Sequence, residues 1–262
     1  MCLLAVAFQT QTDTPLIVTS NRDEFYRRPT EAMHWWPDAP ILAGRDNQAG
    51  GTWMGLSRSG RFAAVTNFRQ LEDGAMPEAK TLSRGHLVTD FLSSKNTVEQ
   101  WADSITTTMP DYGGFNLLIY DGHRLLYLNN RYGTRQLLAP GIYALSNHLL
   151  DSPWPKVDHA REQLRQTIES GQIGAGQLPE LIATLSLEKT YPPELLPDTG
   201  VSNELETQLS SPFIVADGYG TRASSAVIIS KQGEIVVAEH CFEAGETLGT
   251  QVFEFELSRP SL

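Results

Sequence analysis

Apolar and polar positions divide this chain into short strands and two pairs of amphipathic helices. Cys2–Phe8 is nearly continuous apolar sequence, the signature of a strand buried on both faces. A polar turn at 9–15 leads into a β-branched run at 16–21, and the two runs predict a hairpin. Residues 25–40, rich in aromatics and prolines, read as an ordered loop, and 44–51 as a glycine-rich turn. Residues 52–57 and 61–68 predict a second hairpin around Arg58-Ser59-Gly60, and 71–80 a polar loop. Asp121-Gly122, between 115–120 and 124–129, is the strongest hairpin signal in the chain. Residues 141–146, 221–230, 234–242 and 251–257 read as further strands.

Helical spacing recurs in four places. Residues 82–92 place Leu82, Leu87, Val88, Phe91 and Leu92 on one face. Thr97 with Gln100 forms a capping box ahead of Val98, Trp101, Ala102 and Ile105. Residues 153–170 carry Val157, Ala160, Leu164 and Ile168 behind a first-turn proline. Residues 178–187 turn Leu178, Leu181, Ile182 and Leu185 inward. The proline-bearing connection at 190–211 has the length of a lid or a disordered segment. Strands joined by hairpins give antiparallel sheets, and helices in separate pairs give a layer on each outer face. The expected fold is α+β, one domain over residues 1–262: a four-layer αββα sandwich of two stacked antiparallel sheets between helix pairs.

Composition narrows the function. The formal net charge of −11 argues against a nucleic-acid partner, which needs basic patches. No apolar run approaches the ~20 residues of a membrane-spanning helix, and the N-terminus lacks the form of a signal peptide. Cys2 and Cys241 are the only cysteines, too few for a disulfide scaffold, which fits a reducing, cytoplasmic setting. Residues 44–51 lack the lysine of a phosphate loop. No zinc spacing is present, and His240 and Cys241, adjacent on a strand, face opposite ways and cannot share a metal.

The chemistry centres on position two. Trimming of Met1 makes Cys2 the N-terminus, so one residue carries a thiol and a free α-amine. The thiol titrates near ~8.5 and the amine near ~7.7–8.0, so part of the amine is free at neutral pH to take the thiol's proton. The first hairpin returns Asn21-Arg22-Asp23-Glu24 to the neighbourhood of Cys2. Asp23 is the candidate acceptor for the α-ammonium, and Arg22 the candidate charge that lowers the thiol's pKa. Asn67 and Asn147, at strand ends, are candidate oxyanion donors, and Arg222 is a second candidate cation. Taken singly, such asparagines are turn residues and such arginines are solvated; their arrangement around Cys2 carries the information.

Met1-Cys2, Asn21-Arg22-Asp23-Glu24, Gly50-Gly51-Thr52-Trp53, Thr66-Asn67-Phe68-Arg69 and Ser146-Asn147-His148 together resemble the NRDE-motif family, also called the transport and Golgi organization protein 2 family. More distantly the chain is similar to cysteine N-terminal-nucleophile hydrolases such as bile salt hydrolases and penicillin V acylases. That resemblance implies a nucleophile at Cys2, an acidic residue at Asp23, asparagines at Asn67 and Asn147, and a late arginine at Arg222, acting in linear-amide hydrolysis without a cofactor. In those enzymes an arginine precedes the acidic residue by three positions, where this chain has Ser20; Arg22 adjoins Asp23 and leaves the strand on the other face. The family resemblance also implies an alternative, a non-catalytic carrier holding haem in the same pocket. Asn21, Glu24, Trp35, Trp36 and His148 are the candidate ligand-binding residues under either reading. The partner is then a small amide or a haem-like molecule. A third reading leaves Cys2 merely buried in an interaction protein.

Overall fold

The structure, a computed structural model, describes residues 2–71 and 80–257. The chain opens with β1 (Cys2–Phe8) and β2 (Leu16–Phe25), then β3 (Thr30–Trp35), β4 (Ile41–Asp46), β5 (Met54–Ser57) and β6 (Phe62–Asn67). Helices α1 (Arg84–Ser93) and α2 (Val98–Ile105) follow, then β7 (Phe115–Tyr120), β8 (Leu125–Asn129), β9 (Thr134–Leu137) and β10 (Gly141–Leu145). The remainder is α3 (Pro155–Glu169), α4 (Leu178–Ala183), α5 (Asn203–Gln208), β11 (Val215–Ala216), β12 (Tyr219–Ile229), β13 (Glu234–Glu243) and β14 (Glu246–Glu256).

One sheet runs β3 through β9 in chain order, the product of successive hairpins. The other is ordered β10-β1-β2-β12-β13-β14, with β11 beside β12. It is assembled from three distant segments, so β1 lies inside it with a strand on each side. That placement explains the continuous apolar run. Leu4, Val6 and Phe8 face Leu56, Phe62, Leu118 and Tyr120 between the sheets. Leu3, Ala5 and Ala7 face Val157, Ala160, Leu164 and Leu181 of α3 and α4. A third cluster packs Ala63, Val65, Leu117 and Ile119 on Leu87, Phe91 and Trp101 of α1 and α2. The result is the four-layer αββα arrangement, with each buried Leu, Val or Phe worth roughly 1.5–3 kcal/mol. The capping box at Thr97 forms as expected.

Several boundaries differ from the sequence reading. Residues 25–40 contain β3, whose pairing with β4 slips between Glu31 and His34, and that irregularity hides the alternation. Gly44, Arg45 and Asp46 belong to β4, and the turn proper spans 46–51, closed by Gly50 N–H donating to Asp46 O at 2.7 Å. The short, exposed β9 carries no hydrophobic pattern from which a strand could be read. The connection at 190–211 is neither a free lid nor disordered: it contains α5 and is bound to the body through Glu206 and Leu209. Apart from Leu71 and Lys80, the loop expected at 71–80 lies outside the described residues.

Two glycines permit close approaches around Trp53. A Cβ on Gly51 would lie 2.5 Å from the Gly85 carbonyl carbon, so the start of α1 docks backbone-to-backbone on the β4–β5 turn. A Cβ on Gly44 would lie 2.2 Å from the Trp53 ring, so only glycine there lets Trp53 lie flat across β4.

Candidate active site

Antiparallel register decides which side chains meet. Cys2 of β1 is directly opposite Arg22 of β2; Arg22 is opposite Ala223 of β12, and Ala223 is opposite Cys241 of β13. Directly opposed residues point to the same face. Alternation along β1 puts this row on the face between the two sheets, because Leu4, Val6 and Phe8 lie there. Arg22 therefore does leave β2 on the face opposite to Asp23, and that face is the one that carries the Cys2 thiol. The half-buried Cys2 has its carbonyl held by Ser146 Oγ at 3.2 Å. Arg22 is 5% exposed, stacks 4.2 Å from the Trp53 ring centroid, and donates from Nη1 to Thr30 Oγ1 at 3.1 Å.

Asp23 is buried on the helix-facing side and accepts from Thr221 Oγ1 at 2.8 Å. Since Cys2 pairs with Arg22, the next residue along β2 is level with the nitrogen end of Cys2, and that residue is Asp23. Burial pushes the Cys2 thiol above the ordinary cysteine range; Asp23 adds to the rise and Arg22 opposes it. A thiol in this setting needs a base beside it to react at neutral pH.

The two asparagines meet. Asn147, buried just after β10, donates from Nδ2 to the Asn67 carbonyl at 3.0 Å, and its own carbonyl accepts from Arg69 N–H at 2.6 Å. Asn147 thus anchors the end of β6. The Asn67 side chain is half-buried and makes no hydrogen bond among the described residues. Arg222 occupies a β-bulge: register shifts between Thr221 and Ala223, so Arg222 has no partner on β2. Bulges re-aim side chains. Here Nη1 of Arg222 reaches the carbonyls of Phe25, Tyr26 and Arg28 at 3.1, 3.0 and 3.4 Å.

Of the other candidates, Glu24 shares the Arg22 face of β2 and its charge acts on the Cys2 thiol, raising its pKa; the rest are engaged as follows. Asn21, on the helix-facing side with Asp23, bonds the carbonyls of Leu185 and Pro212 and accepts from Ser224. Glu24 accepts from Phe25 N–H and faces Arg28 at 3.8 Å. Trp35 packs on Phe255 and Arg58. Trp36 is buried on the α1 side, donating to Ala43 O. His148 stacks among Phe68 and Trp154, bonded to Ser152. The tryptophan beside Arg22 is Trp53, whose only sequence signal was the Gly50-Gly51-Thr52-Trp53 segment.

A cavity of about 240 Å³ opens beyond Arg22, lined by Arg22, Trp53, Arg222, Glu239, Cys241 and Gln251 among others. Glu239 is fully buried and accepts from Met33 N–H at 2.6 Å, tying β13 to β3. Sequence reasoning missed Glu239, because nothing in a strand's alternation distinguishes a buried carboxyl from a solvated one.

A profile described as Transport and Golgi organisation 2 matches residues 1–244. The chain belongs to the Transport and Golgi organisation 2 family. The family's homolog from Bos taurus is 31% identical over 248 residues, 86% of this chain and 85% of that protein. Solved structures share the fold at 9% identity. A variant of conjugated bile acid hydrolase from Clostridium perfringens has a TM-score of 0.52, covering 98% of this chain and 92% of that one. The Caenorhabditis elegans ortholog of N-acylethanolamine-hydrolyzing acid amidase has a TM-score of 0.50, covering 87% and 92%. The chain therefore has an N-terminal-nucleophile-hydrolase-like fold. Among the described residues no helix is long and apolar enough to cross a membrane.

Behind Asp23, on α3, sits a buried lysine. Lys156 Nζ donates to Leu209 O at 2.7 Å. Burial pulls its ammonium down to about 8, with Asp23 opposing. The unfolded value is ~10.4, so between the two the native state holds fewer protons and stability rises with pH. The charge costs about 3 kcal/mol below pH 8 at ~1.36 kcal/mol per unit. Lys156→Met is expected to remove this dependence. Urea unfolding should show the variant-minus-parent stability difference falling by about that amount from pH 7 to 10.5; a constant difference contradicts it.

Proposed function

We propose that this protein hydrolyses a linear amide through Cys2, after Met1 has been removed. The observation that carries the reading is the register of β1 with β2, which sets Cys2 opposite Arg22, itself part of a cavity lining, and sets its nitrogen end level with Asp23. The α-amine takes the thiol proton, and Asp23 accepts a hydrogen bond from the resulting ammonium. The thiolate attacks the amide carbonyl, and Asn67, held by Asn147, donates to the oxyanion. The ammonium returns the proton to the leaving amine as the C–N bond breaks, leaving a thioester on Cys2. Water, deprotonated by the same amine, then releases the acid and restores the thiol. Both fold relatives bear names of hydrolases or amidases, which supports the reaction class.

Haem in the same pocket finds less support. The cavity of about 240 Å³ falls below the ~300–1,000 Å³ typical of small-molecule sites, and two arginines and a buried carboxyl line it. His148, the ligand-type residue expected there, is taken up in an aromatic stack. The hydrolase reading is tested with octanoyl p-nitroanilide: protein beginning at Cys2 releases p-nitroaniline, and protein retaining Met1 does not. Equal rates from the two forms, or none from either, would refute it.

A further inference from the structure

Lys156 has no part in the amide chemistry set out above, yet its position breaks two preferences at once. It lies in the first turn of α3, directly after Pro155, where the helix dipole disfavours a cation. It is also only 2% exposed, and a buried ammonium costs free energy unless an opposite charge and hydrogen bonds compensate it. An ammonium carries three donors, but among the described residues Lys156 makes one hydrogen bond, from Nζ to the Leu209 carbonyl at 2.7 Å. A residue that breaks local rules without local compensation marks a place to look for function.

The charge that balances it follows from the layers. Among the described residues the buried carboxylates are Asp23, Glu206 and Glu239. Glu239 lies between the sheets, tied to Met33 of β3, while α3 packs on the other face of that sheet. Glu206 is paired with Arg69 at 2.6 Å. Asp23, on the helix-facing side, is the carboxylate left for Lys156. Segment 209–214 braces both groups. Leu209 O accepts from Lys156, and Pro212 O accepts from Asn21 Nδ2, two residues before Asp23. Ile214 is bonded through its N–H and its carbonyl to Thr221, whose hydroxyl donates to Asp23. The electrostatics agree: burial pushes the Asp23 carboxyl upward and Lys156 opposes the rise.

We propose that Lys156 is a positioning residue for Cys2: it keeps buried Asp23 ionised, so that Asp23 can receive the α-ammonium when the amine takes the thiol proton. The purpose of the device rests on the hydrolase reading; its electrostatics do not. Lys156 exchanges no proton with the substrate and acts only through Asp23. The charges around it are Asp23 of β2, Arg69 after β6, Glu206 of α5 and Cys2 of β1. Asp23 in turn is acted on by Arg22 as well as Lys156, and Tyr219 of β12 also responds to it. Removing the lysine charge takes away a positive neighbour, so the carboxyl binds a proton at higher pH. A protonated Asp23 no longer offers the ammonium a negative charge, and the amine fails as base over that range.

The test follows the Asp23 carboxyl by sequence-assigned carbon-13 NMR, in protein beginning at Cys2, beside the pH profile of kcat/KM for octanoyl p-nitroanilide. Lys156→Met and Lys156→Gln are both measured, so that a packing defect in one does not decide the result. In each, the Asp23 midpoint is expected at least about one pH unit above the parent, and Lys156→Arg is expected to return it to within about half a unit. The acid limb of the kinetic profile is expected to move upward with the carboxyl and to return with it. A merely structural lysine would lower activity evenly across pH and leave both midpoints in place. An Asp23 midpoint unmoved in both neutral variants, a displacement that arginine does not reverse, or an acid limb that stays while the carboxyl moves overturns the assignment. A displaced carboxyl in a protein that shows no turnover removes the hydrolase reading alone; turnover with an unmoved carboxyl removes this inference alone.

Discussion

Cys2→Ala is expected to lower the hydrolysis of octanoyl p-nitroanilide by at least about 10³-fold. Deleting a nucleophile in a hydrolase has cost as much as ~10⁶ in turnover, the remainder coming from binding and oxyanion donors. Here alanine leaves Arg22, Asp23 and Asn67 untouched and still exposes an α-amine, so the loss isolates the sulfur. Cys2→Ser keeps a nucleophilic atom in the same place and should retain more activity than alanine. The site makes the thiol a poor spontaneous nucleophile: burial raises its pKa, and Arg22 only partly offsets that. Steady-state rates for the two variants and the parent, with folding checked by near-ultraviolet circular dichroism, decide the matter. An alanine variant within tenfold of the parent places the chemistry elsewhere.

Arg69→Ala is expected to destabilise the fold by about 3–5 kcal/mol, because it leaves a buried carboxylate without its ion-pair partner. Arg69 Nη2 lies 2.6 Å from Glu206 Oε2, with side chains only 10% and 3% exposed. Glu206 Oε1 also accepts from Thr199 N–H at 3.1 Å and from the Thr199 hydroxyl. The pair clips the 190–211 connection to the body. It does so at the residue whose N–H holds the Asn147 carbonyl, so the damage also reaches the anchor of Asn67. Urea unfolding should show the loss as a lower midpoint with an unchanged slope. Replacing both partners with apolar residues, Arg69→Met with Glu206→Leu, should recover most of it. A loss below about 1 kcal/mol for Arg69→Ala contradicts this assignment.

Much of the fold was legible because hairpins and helices announce themselves locally. Asp121-Gly122 fixed β7 against β8, and Thr97 with Gln100 fixed the start of α2. Pairing between distant segments carried no such signal. Nothing local says that β10 and β12 flank the first hairpin, and β3 was hidden by a slip in register that breaks its alternation. The site divides the same way. Cys2, Arg22 and Asp23 follow from one hairpin, and Asn67 and Asn147 from strand ends. Trp53, Glu239 and Cys241 reach the cavity only through the stacking of one sheet on the other, which a sequence pattern does not encode. The choice of Trp35 and Trp36 shows the same limit: aromatic density marks a packed corner as readily as a binding surface.

The central claim is that the sulfur of residue two bonds covalently to an acyl group. Rapid acid quenching during turnover of octanoyl p-nitroanilide, followed by intact mass spectrometry and peptide mapping, tests it most directly. The expected species is a chain lacking Met1, heavier by one octanoyl group, with the adduct on Cys2 as a hydroxylamine-sensitive thioester. A chain that keeps Met1, or an acyl group mapped to Cys241 or to any residue other than Cys2, contradicts it.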